Sequence, residues 1–317
     1  MNAPIQFQGL AGVALPPRPL HLAIGMFDGV HLGHQSVIAA ALQAARRASG
    51  LAGVLTFWPH PSRIFRPENP TLQLMPPGMK RRVLASLGVD FLIEQDFTAE
   101  FARTTAPEFV AQLKRCLPAL AAVYVGENFR FGRGREGDVS VLVAAAAAAG
   151  FTVCSAPRLH HNGAPISSSR VRELLASGAI EEASALLGYA YFAEGVVQAG
   201  NKLGRTLGFP TLNLAWDPEL KPRFGVYAVT VESAKCGAIT GVANYGVRPT
   251  VERAAMPPLL EVHLLETSHL TERDRISVQW RHFLRPEAKF AGLDELRAQI
   301  GCDRDAALKY FAQNNST

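Results

Sequence analysis

From residue 20 to residue 185, short apolar runs alternate with stretches of helical spacing, and no other feature restricts the fold as tightly. Strands separated by helices need crossover connections, and crossovers build a mostly parallel sheet with helices on its faces. The strand candidates are Leu20–Ile24, Leu51–Trp58, Val89–Ile93, Leu120–Val125 and Phe151–Cys154. The helix candidates are Gln35–Ser49, stopped by Gly50, then Met79–Leu87, Ala106–Leu117 with Pro107 in its first turn, Val139–Ala149 and Glu181–Leu187. A Rossmann-like domain follows. Such sheets bind ligands beyond the carboxyl ends of their strands, so the loops after the strands are where function is read.

The first of these loops, Ile24 to His34, reads IGMFDGVHLGH. Gly25, Gly29 and Gly33 let backbone approach a ligand closely. His31 and His34 are three apart at a helix start and share a face. The first helical N–H groups point into the same space and favour an anion. Two imidazoles, free amides and glycines suit a nucleotide phosphate, and the imidazoles can donate to phosphate oxygens as charge builds in a transition state. The bland alternative is a turn with two incidental histidines, or half of a metal site. The spacing is neither that of a P-loop nor that of a dinucleotide fingerprint.

Three more loops join it. Pro59-His60-Pro61 ends the second strand in an extended corner, and Phe57, His60 and Arg63 either line a crevice there or only stiffen it. Gly126 to Asp138, GENFRFGRGREGD, holds three arginines, two phenylalanines and four glycines. A purely solvated basic loop has no need of Phe129 and Phe131, whereas rings with arginines suit a stacked heterocycle carrying a phosphate. A glycine-rich connector is the alternative. Ile166 to Leu175, ISSSRVRELL, sets serines at a helix start with Arg170 in the first turns, which serves either capping or a second phosphate clamp.

From about residue 190 the pattern changes. Phe224–Glu232, Ala238–Asn244, Leu259–Glu266 and Arg275–Leu284 read as strands separated by turns, a small antiparallel barrel or sandwich. Leu293–Ala312 has helical spacing and packs on it, with a break allowed at Asp303 to Asp305. Gly200 to Asn213, GNKLGRTLGFPTLN, combines glycines with Lys202 and Arg205, and its Thr211 and Asn213 offer the oxygen ligands that magnesium prefers. Alternation over Leu259 to Leu265 puts Glu261 and His263 on one face and sends Leu260, Val262 and Leu264 to the core. Glu261 is a candidate general base, or a solvated strand glutamate.

Length and composition set the outer limits. At 317 residues about two domains are expected, at 1–185 and 186–317. A hydrophobic content of 48% supports a packed core. No apolar run approaches the ~18 residues of a membrane span, and the first nineteen residues lack signal-peptide order, so a cytoplasmic protein with no membrane partner is expected. Cys116, Cys154, Cys236 and Cys302 form no close pair and read as free thiols. The net charge of +5 is spread along the chain, so no nucleic-acid partner is expected.

Taken in order, GMFDGVHLGH, TFWPHP, GENFRFGRGREGD and ISSSRVRELL resemble the adenylyltransferase half of prokaryotic bifunctional FAD synthetases. GNKLGRTLGFPTLN, GVANYGVRPT, LLEVHLLE and FLRPEAKF resemble the riboflavin kinase half. The resemblance implies a bifunctional transferase that phosphorylates riboflavin to FMN and adenylylates FMN to FAD, with ATP and magnesium at both sites and FMN and FAD as its flavins. By position it implies that His31, His34 and Arg170 act in adenylyl transfer. Gly25, Phe27, Asp28, Gly33 and Ser168 would frame ATP, with Phe57, His60, Asn128, Arg130 and Phe131 at the flavin. In the second half it implies Gly204, Arg205, Thr206 and Gly208 around ATP, Thr211 and Asn213 on magnesium, and Glu261 as base. A weak homo-oligomer is left open. Departures, among them Met26, VERAAMPP after Thr250, and Leu270-Thr271-Glu272, cluster mainly in the second half. The runner-up is therefore an FMN adenylyltransferase with a weak or structural kinase half. A flavin-binding regulator without turnover is the reading from another class, and it has no use for a general base.

Overall fold

A computed structural model describes residues 3–199, 208–247 and 258–314. The chain forms two compact units, Met1–Ser168 and Ser169–Thr317.

The first unit is built on six strands, β1 (Ile5–Gln8), β2 (Leu20–Ile24), β3 (Leu51–Trp58), β4 (Phe91–Asp96), β5 (Leu120–Gly126) and β6 (Thr152–Ala156). They form one parallel sheet in the order β1-β4-β3-β2-β5-β6. Every residue of β2 is buried, as a central parallel strand covered on both faces requires. The crossovers carry α1 (Leu32–Arg47), α2 (Ser62–Phe65), α3 (Pro77–Ser86), α4 (Ala106–Cys116) and α5 (Val139–Ala149). α1 buries Val37, Ile38, Ala41, Leu42 and Ala45, the stripe that its spacing predicts. β3 and β4 lie on one side of β2, and β5 and β6 on the other. The winding therefore reverses between β2 and β5, and a ligand crevice opens beyond their carboxyl ends. The loops that flank this switch point are the histidine loop after β2 and the arginine loop after β5. A small hairpin, β7 (His160–His161) and β8 (Ala164–Pro165), leads to α6 (Ser168–Ser177) at the boundary between units.

In the second unit, α7 (Ile180–Leu187) precedes β9 (Phe192–Val196), β10 (Thr211–Ala215), β11 (Gly225–Ser233), β12 (Gly237–Gly246), β13 (Leu259–Leu264) and β14 (Arg275–Pro286). The sheet runs β10-β13-β12-β11-β14-β9, antiparallel throughout. A bridge between Gln198 and Asn213 brings its two edges together, so it is a nearly closed barrel. Its interior is aromatic. Trp280, Tyr227 and Tyr245 are fully buried, and the Tyr227 ring meets Trp280 edge-on at 4.4 Å between centroids. The last helix, α8 (Leu293–Asn314), sets Ala307 and Phe311 against Val226, Ala228 and Val242. The break allowed at Asp303 to Asp305 does not occur. Asp303 is buried and accepts from Arg285 Nε and Nη2, both at 2.7 Å, so its charge is matched without leaving the helix. Among the described residues all four cysteines are free, and no helix is long and apolar enough to cross a membrane.

Candidate functional site

The histidine loop is held open by its own backbone. Phe27, Gly29 and Val30 all have positive φ (47°, 79° and 38°), a region that Phe and Val rarely adopt. Such strain persists where the surroundings enforce it, and it clusters at functional sites. Here the surroundings are on both sides. Phe27 and Val30 are buried. The Asp28 carboxylate accepts from Leu74 N at 2.9 Å, and the Asp28 carbonyl accepts from Ser168 Oγ at 2.9 Å. Asp28 thus frames the loop from behind, and the serine motif meets it there. Arg170 lies two residues further on in α6.

His31 is the N-cap of α1, its Nδ1 accepting from His34 N at 3.2 Å. An accepting Nδ1 leaves the ring proton on Nε2, which is then a donor. The two imidazoles stack, 3.6 Å between centroids and 14° between planes, and the Phe27 ring stands edge-on to His34 at 5.3 Å. A Cβ on Gly33 would meet the His31 ring at 3.2 Å, and one on Gly25 would meet the Phe27 ring at 3.1 Å, so both glycines make room for rings. The proton affinity of His34 falls well below that of a free imidazole, first through desolvation and then through the charges of His31 and Lys80. At neutral pH His34 is therefore a neutral donor and acceptor.

Beside the loop is a cavity of about 720 Å³. Phe57, His60, Asn128, Arg130 and Phe131 all line it, together with Gly25 and Met26 from the start of the histidine loop. The arginine loop is folded as a wall. Phe131 and Gly137 pair across it through hydrogen bonds of 3.1 and 3.0 Å, and Glu136 Oε1 accepts from Ala106 N at 2.8 Å, capping α4. Phe129 and Phe131 stack with planes 15° apart, and Phe97, Phe101 and Phe109 extend the aromatic lining. His60 fills both roles that the sequence offers. Its Nδ1 accepts from Ser62 N at 3.1 Å, stiffening the corner, while the residue faces the cavity.

In the second unit, Thr211 pairs with His263 and Asn213 with Glu261 across β10 and β13. Directly paired residues share a face, with Cβ atoms roughly 5 Å apart. On the other side Glu261 pairs with Asn244 of β12. Asn213 is 5% exposed, and its Oδ1 has no hydrogen-bond partner. An orphaned buried carbonyl oxygen next to a hydroxyl and a carboxylate fits a hard cation. A second cavity, of about 840 Å³, is lined by Thr211, Asn213 and His263, and also by Glu266, Thr267, Leu270, Thr271 and Glu272. Thr271 and Glu272 belong to the stretch Leu270-Thr271-Glu272, one of those in which the sequence departs from its family resemblance. Glu261 lies beside this wall and is half-buried. Gly208 is an exposed turn residue with φ 89°. Gly204, Arg205 and Thr206 lie outside the described residues. Among the described residues no cluster of three or more His, Cys, Asp or Glu side chains could hold a metal.

Sequence reading missed Lys80. It sits in a basic run, Lys80-Arg81-Arg82, that reads as a solvated face. Yet Met79, Lys80, Val83 and Leu84 are the buried residues of α3, and a lysine three and four residues ahead of two core positions is the signal that would have found it. Phe97 and Phe101, which follow β4 and line the first cavity, were not singled out either.

Residues 15–170 match the FAD synthetase family, and residues 187–311 match the riboflavin kinase family. The bifunctional riboflavin kinase/FMN adenylyltransferase of Escherichia coli (strain K12) is 38% identical over 290 residues, covering 92% of each chain. That of Bacillus subtilis (strain 168) is 36% identical over 295 residues, again 92% of each. A crystal structure from Streptococcus pneumoniae, described as a macrolide-efflux protein, superposes with a TM-score of 0.85 at 28% identity, covering 96% of this chain and 99% of that one.

Proposed function

The chain belongs to the bifunctional riboflavin kinase/FMN adenylyltransferase family, and we propose that its activities divide between its units. It is a transferase that uses ATP to phosphorylate riboflavin to FMN, and joins FMN to the adenylyl group of a second ATP to give FAD and pyrophosphate.

Adenylyl transfer is assigned to the first unit. A phosphate oxygen of FMN attacks the α-phosphorus of ATP, and the bond to the bridging oxygen breaks with the electron pair leaving on pyrophosphate. Negative charge builds on the equatorial oxygens as this happens. His31 through Nε2–H, His34 as a neutral donor, and the first amides of α1 supply positive hydrogen-bond ends where that charge grows. Ser168 and Arg170 are assigned as the second clamp on the nucleotide, with Gly25, Phe27, Asp28 and Gly33 as the frame. The isoalloxazine rings occupy the phenylalanine cavity, with Asn128, Arg130 and His60 on their polar edge. The observation that carries this reading is shared lining. Gly25 and Met26 both begin the histidine loop and wall the cavity, so a flavin there directs its phosphate towards the histidines.

Riboflavin phosphorylation is assigned to the second unit. Glu261 takes the proton of the terminal ribityl hydroxyl as its oxygen attacks the γ-phosphorus of ATP, and ADP leaves. Thr211 and Asn213 would hold magnesium, which neutralises phosphate charge. Gly204 to Gly208 is assigned as the phosphate loop.

Replacing His31 or His34 by Ala tests the division. FAD formation from FMN and ATP should fall by roughly a hundredfold or more, the usual loss for one transition-state donor. FMN formation from riboflavin should stay at the wild-type rate. Equal loss of both activities would show that the histidines only hold the fold together.

A further inference from the structure

Lys80 is only 1% exposed, and burying an ammonium ion is costly unless its protons find acceptors and its charge a partner. Its Nζ donates to Thr56 Oγ1 at 3.1 Å, to the carbonyl of Phe57 at 3.3 Å and to that of Met26 at 3.5 Å. Thr56 Oγ1 donates in turn to the Met26 carbonyl at 3.0 Å. Met26 leads into the histidine loop, and Phe57, the penultimate residue of β3, lies on the cavity wall. Both residues line the cavity, and both backbones are tied to the same ammonium.

We propose that Lys80 is a positioning residue for adenylyl transfer, its buried ammonium fixing the start of the histidine loop against the cavity wall so that flavin phosphate and nucleotide meet at one spacing. This rests on assigning the histidine loop and the cavity to that reaction. Lys80 touches neither substrate and acts through Met26, Thr56 and Phe57. A neutral aliphatic chain would fill the same space and hold neither carbonyl.

The charged groups around it are consistent with this role. Burial pushes the Lys80 ammonium down to about 8, while Glu94 from β4 and Asp28 from the histidine loop favour its charged form and Arg81 from α3 opposes it. Its charge also acts on His34 of α1, helping to keep that imidazole neutral. Asp28 is itself bonded to Leu74 N in the segment leading into α3, so helix and loop are tied at a second point.

The test uses the full chain with Lys80→Met, and the kinase activity of the same sample as the control. FAD formation from FMN and ATP should fall about tenfold or more, with KM for FMN raised and kcat lowered together, and riboflavin phosphorylation unchanged. In the wild type, kcat/KM for FMN should decline as pH rises through about 8, because the ammonium loses its proton there. That decline should be absent in Lys80→Met. Adenylyl transfer within twofold of wild type, or the same alkaline decline in the variant, overturns the proposal. A wild-type chain that makes no FAD at all would instead overturn the assignment beneath it. Where Lys80→Met loses the folded first unit, Thr56→Val decides. It keeps the charge and shape but removes the hydroxyl between Nζ and the Met26 carbonyl. A threefold or greater rise in KM for FMN supports the proposal, and unchanged kinetics overturn it.

Discussion

Replacing Glu261 by Gln should abolish most of one activity and leave the other intact, and the structure sets the size of each effect. Glu261 stands between Asn213 of β10 and Asn244 of β12, so its paired neighbours are amides, and a third amide of equal size fits the row. The residue is half-buried, and a shape-preserving change at such a site shifts stability by about 0.5 kcal/mol or less. A glutamine cannot accept the ribityl proton. Loss of a general base costs roughly 10² to 10⁴ in rate. At about 1.4 kcal/mol per tenfold, this raises the barrier by about 3 to 5.5 kcal/mol. The catalytic effect thus exceeds the stability effect several times over, and the two are separable in a single preparation. Incubation with riboflavin, ATP and magnesium, with flavins separated over time, should show FMN formation reduced by that factor. Incubation with FMN and ATP should show FAD formed at the wild-type rate, and thermal unfolding should be unchanged. A variant that phosphorylates riboflavin at the wild-type rate refutes the reasoning, and Glu261 is then a solvated barrel carboxylate.

Two further outcomes follow from packing. Asp303→Ala leaves the Arg285 guanidinium without its carboxylate beside the core, which costs roughly 3 to 5 kcal/mol. Calorimetry should show the unfolding transition of the second unit lowered by several degrees, kinase activity lost with it on heating, and FAD formation from FMN kept. The second outcome concerns the fragment 169–317, which should make FMN from riboflavin and no FAD, whereas a fragment starting at 186 should be much less stable. The longer fragment retains α7, whose Ile180, Ala183, Leu186 and Leu187 are fully buried and whose Glu181 pairs with His282 of β14. Equal melting temperatures for the two fragments would show that α7 is dispensable.

What the sequence conveyed, and what it hid, follow from how far each signal reaches. Periodicity and glycine placement are local, so the strand–loop–helix of residues 20–47 and the alternation of β13 could be read directly. Distances between loops are not local, yet the parallel order β3-β2-β5 brings the Phe57 corner, the histidine loop and the arginine loop to one edge of the sheet. That convergence was expected only because ligands gather at such edges. β1 was not foreseen because it is four residues long, with Gln6 and Gln8 alternating and most of its surface exposed, and only pairing with β4 makes it a strand. The segment at Thr211 proved to be a strand, β10, which was hidden because its partner β13 lies about fifty residues away in the chain. Lys80 was hidden by its type. A lysine in a basic run reads as solvated, and only the carbonyls that three-dimensional packing gathers around Nζ explain its burial.

The central claim is that two independent sites act in succession, with FMN as product of one and substrate of the other. Mixing two defective proteins tests it most directly. His34→Ala alone, given riboflavin, ATP and magnesium, should accumulate FMN and almost no FAD. Glu261→Gln alone should form almost no FMN and therefore almost no FAD. Combined in one vessel, they should produce FAD from riboflavin after a lag while FMN builds up. If the mixture forms no more FAD than the two proteins do separately, although each keeps its remaining activity, the division of labour between His34 and Glu261 is wrong.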